Sequence, residues 1–456
     1  MLQQEAQKTV RLALPIILGE LAQMSLHLID TAMVGVVGYK QLAAAALVFN
    51  VINIPFVLGI GITISVSQMV SLAHGRRDGF RVSHYFFNGF FICAVAALLI
   101  SGGLLAGKGI FHHLGQDPEV VKLALPFMNL MGLSIIPMIL FMALKQFADG
   151  LQYTKTAMAI SLLGLPVNIF LNWLLIYGNW GFPRLELVGA GWATLITRTL
   201  MFLSLGYVIL RFPLFKKYVA VRYSQWKLRW PAIKELLYIG IPSSLQIGLE
   251  SSAFAVSGIL VGTLGAVPQA AHQIALSCAA FTFMVSMGLS QAASIRVSTA
   301  FGARQFSKIE MIGKSALLTA VCYGVLCAVI FISFRYWLPH LFNKEEMVIS
   351  LASYLLLFAA IFQISDSSQA VGAGLLRGLK DVKLPTVFIA IAYWAIGIPA
   401  GYYLAFYAGM GAAGIWTGFI VGLSAAALFL FARFLMMTKR IRKQGTVSVS
   451  KRFLNS

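Results

Sequence analysis

Two carboxylates lie deep inside long apolar stretches of the chain, Glu250 within 236–262 and Asp366 within 348–374. At the centre of a bilayer a carboxylate costs at least about 2.5–3.5 kcal/mol, so such residues are rare and usually serve a function. Their oxygens suit a hard cation such as Na⁺, and a buried carboxylate can instead carry a proton. Asp30 adds a third acidic group in the first apolar stretch. We therefore predict that these three carboxylates couple membrane transport to a cation.

The polar side chains of the first apolar stretch share one helical face. They follow one another at intervals of three and four residues: Glu20, Gln23, His27 and Asp30. Such a face must meet protein or water rather than lipid, although Glu20 and His27 are also interpretable as residues near the membrane rim. Asn168 and Asn172 are one turn apart in the fifth stretch. Their side chains either pair with Asp30 or form other hydrogen bonds between helices.

Further polar and aromatic groups accompany the other two carboxylates. Gln246 lies one turn before Glu250, and Gln369 lies three residues after Asp366. These amides can supply more oxygen ligands, so we predict a sodium site at Glu250 and Asp366. Phe362 lies one turn before Asp366, where its ring either meets a bound cation or packs against neighbouring side chains.

The composition indicates the solvent in which these residues act. Of 456 residues 59% are hydrophobic and only 11% are charged, and the mean hydropathy is +0.83. The apolar runs are continuous rather than alternating, which predicts an all-α polytopic membrane protein and not a barrel. We predict twelve transmembrane helices at 10–37, 43–72, 85–107, 120–145, 156–179, 188–211, 235–263, 270–299, 312–338, 347–373, 385–408 and 411–437. The first is interpreted as a retained helix rather than a signal peptide.

The net charge of +20 is distributed unevenly between the two sides of the predicted membrane region. One side holds most of the lysines and arginines, among them Lys145 and Arg296. The other side holds only Lys40, Lys108, Lys122, Arg184, Arg335 and Lys344. This asymmetry predicts that both termini are cytoplasmic. The positive side would contact anionic lipid headgroups, and no soluble domain is predicted that could present the charge to nucleic acid.

The two halves of the chain resemble each other at a shift of 227 residues, which aligns Pro15 with Pro242 and Gly61 with Gly288. Each half has six predicted helices and therefore inserts in the same orientation, which predicts two lobes related by pseudo-two-fold symmetry. The corresponding division is an N-terminal lobe, a cytoplasmic connector, a C-terminal lobe and a basic tail, at 1–211, 212–234, 235–437 and 438–456. Pro15 either bends the first helix or begins it.

No motif for an enzyme is present: the sequence has no Walker loop, no zinc-spaced histidine pair and no nucleophile signature. We therefore expect neither an enzyme nor a resident cofactor. Without an ATP site, the expected energy source is a gradient of Na⁺ or H⁺.

Several stretches resemble the multidrug and toxic compound extrusion (MATE) family in its NorM-type branch, over nearly the whole chain. They include LALP at 12–15, LPVNIFLNW at 165–173, AAHQIAL at 270–276 and LLRGLKD at 375–381, with Asp30, Glu250 and Asp366 in matching surroundings. The resemblance implies two six-helix lobes around a central cavity and efflux of organic cations in exchange for Na⁺ or H⁺.

The resemblance also implies roles for single residues. Glu250 and Asp366 match the cation site of the C-terminal lobe. Asp30 matches a polar network with Asn168 and Asn172 that is linked to protonation or substrate. Pro15 matches a bending proline, whereas Phe362 departs from the tyrosine of some sodium-coupled relatives.

Three alternatives to an antiporter differ in what they would require. A lipid-linked precursor flippase of the same superfamily would need a basic cavity, and within the predicted helices Arg198 is the residue that favours it. A polytopic membrane enzyme lacks a supporting motif. A channel fits a two-lobe repeat with lone carboxylates less well than alternating access does. Because the repeat already supplies both lobes, we expect a monomer.

Overall fold

The computed structural model describes residues 1–113, 117–219 and 227–453. Within these residues the chain is helical without strands, and twelve helices are long and apolar enough to cross a membrane. The first six are α1 (Leu2–Val37), α2 (Tyr39–Gly75), α3 (Gly79–Ala106), α4 (Pro118–Gly150), α5 (Thr154–Tyr177) and α6 (Glu186–Arg211). The second six are α7 (Trp230–Gly262), α8 (Ala266–Gly302), α9 (Phe306–Phe334), α10 (Glu346–Gly378), α11 (Lys383–Phe406) and α12 (Ala412–Phe453).

The prediction of an all-α polytopic protein with twelve spanning helices is confirmed, but most helices are longer than predicted. The helix α1 begins at Leu2 rather than near residue 10, and α8 extends to Gly302. Hydropathy detects only the segment that needs an apolar surrounding, whereas the helical hydrogen bonds continue into polar turns at both ends. The sequence pattern therefore locates the helices but underestimates their length.

The residues described divide into two compact units, which we call the N-terminal unit (Leu18–Ser244) and the C-terminal unit (Leu245–Ser456 together with Met1–Ile17). In the N-terminal unit α4 is the most deeply buried helix and packs against α2, α3 and α6. Helix α5 packs mainly against α6. Side chains of α1, α2, α4, α5 and α6 line one small cavity in this unit.

The C-terminal unit is built around α10, which packs against α8, α9 and α12. Helix α11 packs against α12 and contains a π-helical segment, Ile391–Gly397. The two backbones approach closely: a Cβ at Gly418 of α12 would lie 2.5 Å from the Cα of Gly401 in α11. Such a π segment adds a residue to the turn and re-aims the side chains within it, here Tyr393 among them.

The division between the units cuts through α1 and α7, not through the loops. It falls between residues 17 and 18 and between residues 244 and 245. These two points are 227 positions apart, which is the offset of the sequence repeat. Each point lies just after a proline, Pro15 or Pro242. Both prolines lie inside long continuous helices, so the interpretation that they begin their helices is wrong.

The repeat extends to individual contacts within the two units. In the C-terminal unit Gly288 of α8 lies against Ile17 of α1, and in the N-terminal unit Gly61 of α2 lies against Ser244 of α7. A Cβ at Gly61 would lie 2.3 Å from the Cα of Ser244, and one at Gly288 would lie 2.4 Å from Cγ1 of Ile17. Each partner is displaced by 227 positions from its counterpart. The two glycines therefore occupy equivalent helix crossings, one in each unit.

The division of the sequence into 1–211, 212–234, 235–437 and 438–456 stays a prediction. The predicted connector contains 220–226, which lie outside the described residues, and a short helix at Pro213–Val219. The predicted tail begins within α12, which continues to Phe453, and 454–456 lie outside the described residues.

Candidate functional site

A buried hydrogen-bond network surrounds Asp30 in the N-terminal unit. Asn172 Nδ2 donates to Asp30 Oδ1 at 2.6 Å, and Thr194 Oγ1 donates to Asp30 Oδ2 at 2.9 Å. The same Asn172 amide lies 3.0 Å from the side-chain oxygen of Asn168. All four residues are buried. Of the two interpretations of the asparagines, the geometry favours partnership with Asp30.

The Asp30 network borders a cavity of about 40 Å³. Gln23, Asn168 and Arg198 are among its other lining residues. This volume suits a small ion or a few water molecules.

Arg198 is the cation of this cavity. Its Nη1 donates to Ser134 Oγ at 2.7 Å, and its guanidinium is close enough to Asp30 for electrostatic attraction. Arg198 thus lies on a cavity and near a carboxylate. The positive guanidinium balances the one negative charge of Asp30.

A second group of charges in the N-terminal unit is paired internally. Lys145 Nζ lies 2.7 Å from Glu20 Oε1 and 3.4 Å from Asp149 Oδ2. The Lys145 side chain is only 1% exposed. Lys145 is therefore a buried cation whose charge is compensated by the two carboxylates. Glu20 is likewise a buried ion-pair partner.

Arg296 is a second basic residue that is buried and paired. It lies within α8, where it forms a buried ion pair with Glu5 and donates to Thr9, both on the first segment of α1. A guanidinium with a bound carboxylate tolerates burial. This ion pair attaches Met1–Ile17 to the rest of the C-terminal unit.

Glu250 and Asp366 occupy the interior of the C-terminal unit. Gln369 Nε2 donates to Glu250 Oε1 at 2.8 Å, and Gln246 Nε2 approaches the same oxygen at 3.3 Å. Asp366 is 3% exposed and close enough to Glu250 for the two carboxylates to repel each other. Arg377 interacts electrostatically with Glu250. The structure therefore brings the predicted pair together and places a guanidinium near one of the two carboxylates, Glu250.

Phe362 contributes its ring to an aromatic cluster next to this pair. Its ring centroid lies 5.5 Å from that of Trp416 and 6.1 Å from that of Phe254. Phe419 and Tyr393 complete the cluster around Phe254. Of the two interpretations of Phe362, packing against neighbouring side chains is the one that the geometry favours.

The donor set of the C-terminal unit suits a weakly bound ion. Among the described residues no three histidine, cysteine, aspartate or glutamate side chains are grouped as a metal site. Gln246 and Gln369 each turn a nitrogen to Glu250, so rotation of these amides would present two further oxygens to a cation. Two carboxylates and amide oxygens form a hard, oxygen-rich site that also accepts protons.

Several residues of these networks were not identified from the sequence. Thr194 was missed because it is one of three threonines in α6, and nothing in the sequence distinguishes it from the others. Lys145 and Asp149 are four residues apart on one face of α4, and that spacing was the available signal for an ion pair. Trp416 and Tyr393 were missed because aromatic residues make up 12% of the chain and carry no individual signal.

The MatE family model matches the chain twice, at residues 15–174 and 242–403. The two matches begin at Pro15 and Pro242, which agrees with the repeat offset of 227 residues. One family unit therefore describes each half of the chain.

Two curated relatives cover nearly the full length. The chain is 35% identical to "Probable multidrug resistance protein NorM" of Rhizobium meliloti, over 94% of this chain and 93% of the relative. It is 32% identical to "Multidrug resistance protein MdtK" of Yersinia pseudotuberculosis, over 98% of each protein.

The fold is similar to that of solved MATE structures. The eukaryotic MATE transporter AtDTX14 superposes with a TM-score of 0.87 at 21% identity, covering 97% of this chain and 99% of that one. A crystal structure of a MATE protein in the bent conformation gives a TM-score of 0.89 at 21% identity, covering 98% of this chain and 99% of that one.

Proposed function

Because the chain belongs to the MatE family of multidrug and toxic compound extrusion transporters, we propose that it is an antiporter that exports organic cations in exchange for Na⁺ or H⁺. Transport would proceed by alternating access in the inner membrane of a bacterium. Both termini would be cytoplasmic, and the basic segments would contact anionic lipids. The protein would act as a monomer.

The observation that carries this proposal is the charge balance of the two carboxylate sites. Asp30 has Arg198 beside it. Among the described residues Glu250 interacts with Arg377, whereas Asp366 has no cationic partner. With both carboxylates ionised, the described interior of the C-terminal unit retains one uncompensated negative charge. An uncompensated buried charge is costly, so a cation or a proton is favoured there.

Antiport would follow from competition for that charge. A coupling ion bound at Glu250 and Asp366 removes the negative charge that would attract a cationic drug. Coupling between two ligands is reciprocal, so the drug would weaken ion binding by the same factor. Gln246 and Gln369 orient Glu250 in this scheme, and Phe362 forms the apolar wall beside Asp366.

Asp30 supports the proton-coupled form of the same proposal. Its carboxylate already accepts two hydrogen bonds. Protonation would abolish the attraction to Arg198 and require the network with Asn168 and Asn172 to rearrange. Gln23 lies on the same cavity and would contact the ion or the transported substrate.

Proteoliposomes with imposed gradients test the proposal. Purified protein would be reconstituted and export of a fluorescent organic cation followed with a sodium gradient or a pH gradient applied separately. We expect export with at least one gradient and its loss in Glu250→Gln, which keeps the shape but removes the charge. Glu235→Gln is the matched control, because Glu235 accepts a hydrogen bond from Tyr85 away from both carboxylate sites.

The same assay assigns the ion. Export driven by sodium and lost in Glu250→Gln supports a sodium antiporter. Export driven only by the pH gradient and lost in Asp30→Asn supports proton coupling through the N-terminal unit. Full export and full ion coupling in both Glu250→Gln and Asp366→Asn would contradict the proposal.

A further inference from the structure

Gln363 of α10 is a fully buried glutamine whose side-chain amide makes no hydrogen bond to the described residues. It is 0% exposed, and neither its Nε2 nor its Oε1 has a partner among them. A glutamine side chain offers two N–H donors and one carbonyl oxygen, and buried polar groups in proteins are normally paired. An orphaned amide costs stability, so Gln363 calls for a partner that the described part of the chain does not supply.

Asp366 lies three residues after Gln363 on the same helix, and side chains at this spacing are neighbours on the helix surface. It is 3% exposed, and the charge of Glu250 repels it. Among the described residues Asp366 has no cationic partner. A buried carboxylate that lacks a positive charge therefore lies next to a buried amide that lacks a hydrogen-bond partner.

Helix α9 covers this side of α10. A Cβ at Gly324 of α9 would lie 2.9 Å from the backbone carbonyl oxygen of Gln363. The adjacent Tyr323 is close enough to Asp366 for an electrostatic interaction, and its hydroxyl donates to the carbonyl oxygen of Thr282 in α8 at 2.9 Å. Gln363 and Asp366 thus border the same neighbouring helix, whose phenol already donates to a carbonyl oxygen of α8.

We propose that Gln363 is a ligand of the coupling ion, and that its Oε1 and a carboxylate oxygen of Asp366 together bind Na⁺ directly, without intervening water. This inference rests on the proposed antiport function and deepens its sodium-coupled form. One cation would supply both the positive charge that Asp366 lacks and the partner that the amide oxygen lacks. The amide can turn its oxygen to the ion without breaking a hydrogen bond to the described residues.

A proton is the competing occupant, because a protonated Asp366 would donate to the same amide oxygen. The number of oxygens near the two carboxylates favours Na⁺. Glu250 already has the amides of Gln246 and Gln369 beside it, and Gln363 gives Asp366 an amide of its own. A proton needs a single acceptor, whereas a hard metal ion binds several oxygens at once.

The test is the apparent unfolding temperature of the purified protein in detergent, because a ligand that binds the native state stabilises it increasingly as the ligand concentration rises. In one arm NaCl replaces KCl at constant ionic strength and fixed pH, and in the other pH is varied without sodium. Gln363→Met keeps the length of the side chain but removes its oxygen and its N–H groups. Ser161→Ala is the matched control, because Ser161 lies in the N-terminal unit and its fully buried hydroxyl is also unpaired among the described residues.

We expect the unfolding temperature of the wild type to rise with sodium, and Gln363→Met to raise the half-saturating sodium concentration at least about fivefold, as for the loss of one contact to a charge. Ser161→Ala should keep the sodium response of the wild type. In sodium-free buffer Gln363→Met should be at least as stable as the wild type, because it removes an orphaned amide. A side chain with a merely structural role would instead lower stability in every buffer.

An unchanged half-saturating sodium concentration in Gln363→Met would overturn the proposal. A wild type that is stabilised by a change of pH but not by sodium would also overturn it, since the occupant would then be a proton. If Gln363→Met does not fold, Gln363→Leu gives the second test, with the same expected direction and the same contradicting result.

Failure of the two proposals is distinguishable. Wild-type protein that exports the drug in proteoliposomes under neither gradient contradicts the antiport function itself. Wild-type export under either gradient, together with a sodium response that Gln363→Met leaves unchanged, contradicts only the role of Gln363.

Discussion

At the scale of single residues, the three predicted carboxylates differ in how their charge is balanced. Asp30 has two hydrogen-bond donors and a nearby guanidinium. Glu250 has amide donors and one guanidinium, that of Arg377, whereas among the described residues Asp366 has no cationic partner. The sequence predicted that all three are buried, since a carboxylate in an apolar helix has no other place in a bilayer. It suggested the amide partners of these carboxylates but did not assign Thr194 or Arg198 to Asp30, because those two come from a helix distant in the chain.

The contribution of one such partner is measurable at Thr194. Thr194→Val keeps the shape of the side chain but removes the donor to Asp30, which should cost about 1–3 kcal/mol and lower the apparent unfolding temperature in detergent. Thr194→Ser keeps the hydroxyl and should retain most of the stability.

Thr197→Val is the control for this prediction. Thr197 lies on the same helix and is 1% exposed, and its hydroxyl has no partner among the described residues. Its replacement should leave the unfolding temperature unchanged or raise it. Equal effects of Thr194→Val and Thr197→Val would contradict the importance of the hydrogen bond to Asp30.

At the scale of helices, hydropathy predicted the number and order of the spanning segments but not their packing. The repeat predicted that Gly61 and Gly288 are equivalent, and both prove to be points of close helix approach. The sequence did not indicate that the first segment of α1 belongs to the C-terminal unit, or that the first segment of α7 belongs to the N-terminal unit. Hydropathy reports how apolar the surface of a helix is, but not which other helix packs against it. The aromatic cluster around Phe362 was not predicted for this reason, because its rings come from several helices.

The close approaches make Gly61 and Gly288 sensitive to an added methyl group. In Gly61→Ala the new Cβ would meet backbone atoms of Ser244, which cannot rotate away, so we expect a loss of about 1–3 kcal/mol. Gly288→Ala should be milder, because its nearest contact is the side chain of Ile17. The apparent unfolding temperature of each purified variant gives the comparison.

Gly102→Ala in α3 provides the reference. A Cβ at Gly102 would have no neighbour within 4 Å, and alanine is favoured over glycine in a helix by about 1 kcal/mol. This variant should be as stable as the wild type or more stable. Gly61→Ala with the stability of Gly102→Ala would show that the helix crossing tolerates a side chain.

At the scale of the whole molecule, a protein of net charge +20 is proposed to bind cations. The contradiction disappears when the charges are assigned to regions, since the abundant basic residues follow the predicted loops while the candidate sites are carboxylates inside helices. Lys145 and Arg296 are exceptions that pair with acidic partners inside their units. Positive charge thus serves topology and lipid contact in this account, and buried negative charge serves transport.

The central claim is that a drug and a coupling ion compete for the charge of Glu250 and Asp366. The most direct measurement is the equilibrium affinity of purified protein for a fluorescent organic cation, titrated with NaCl at constant ionic strength and, separately, with pH. We predict that the affinity falls as one of the two ions rises, and that this dependence disappears in the Glu250→Gln/Asp366→Asn double variant. A drug affinity in the wild type that is independent of both ions would contradict the account.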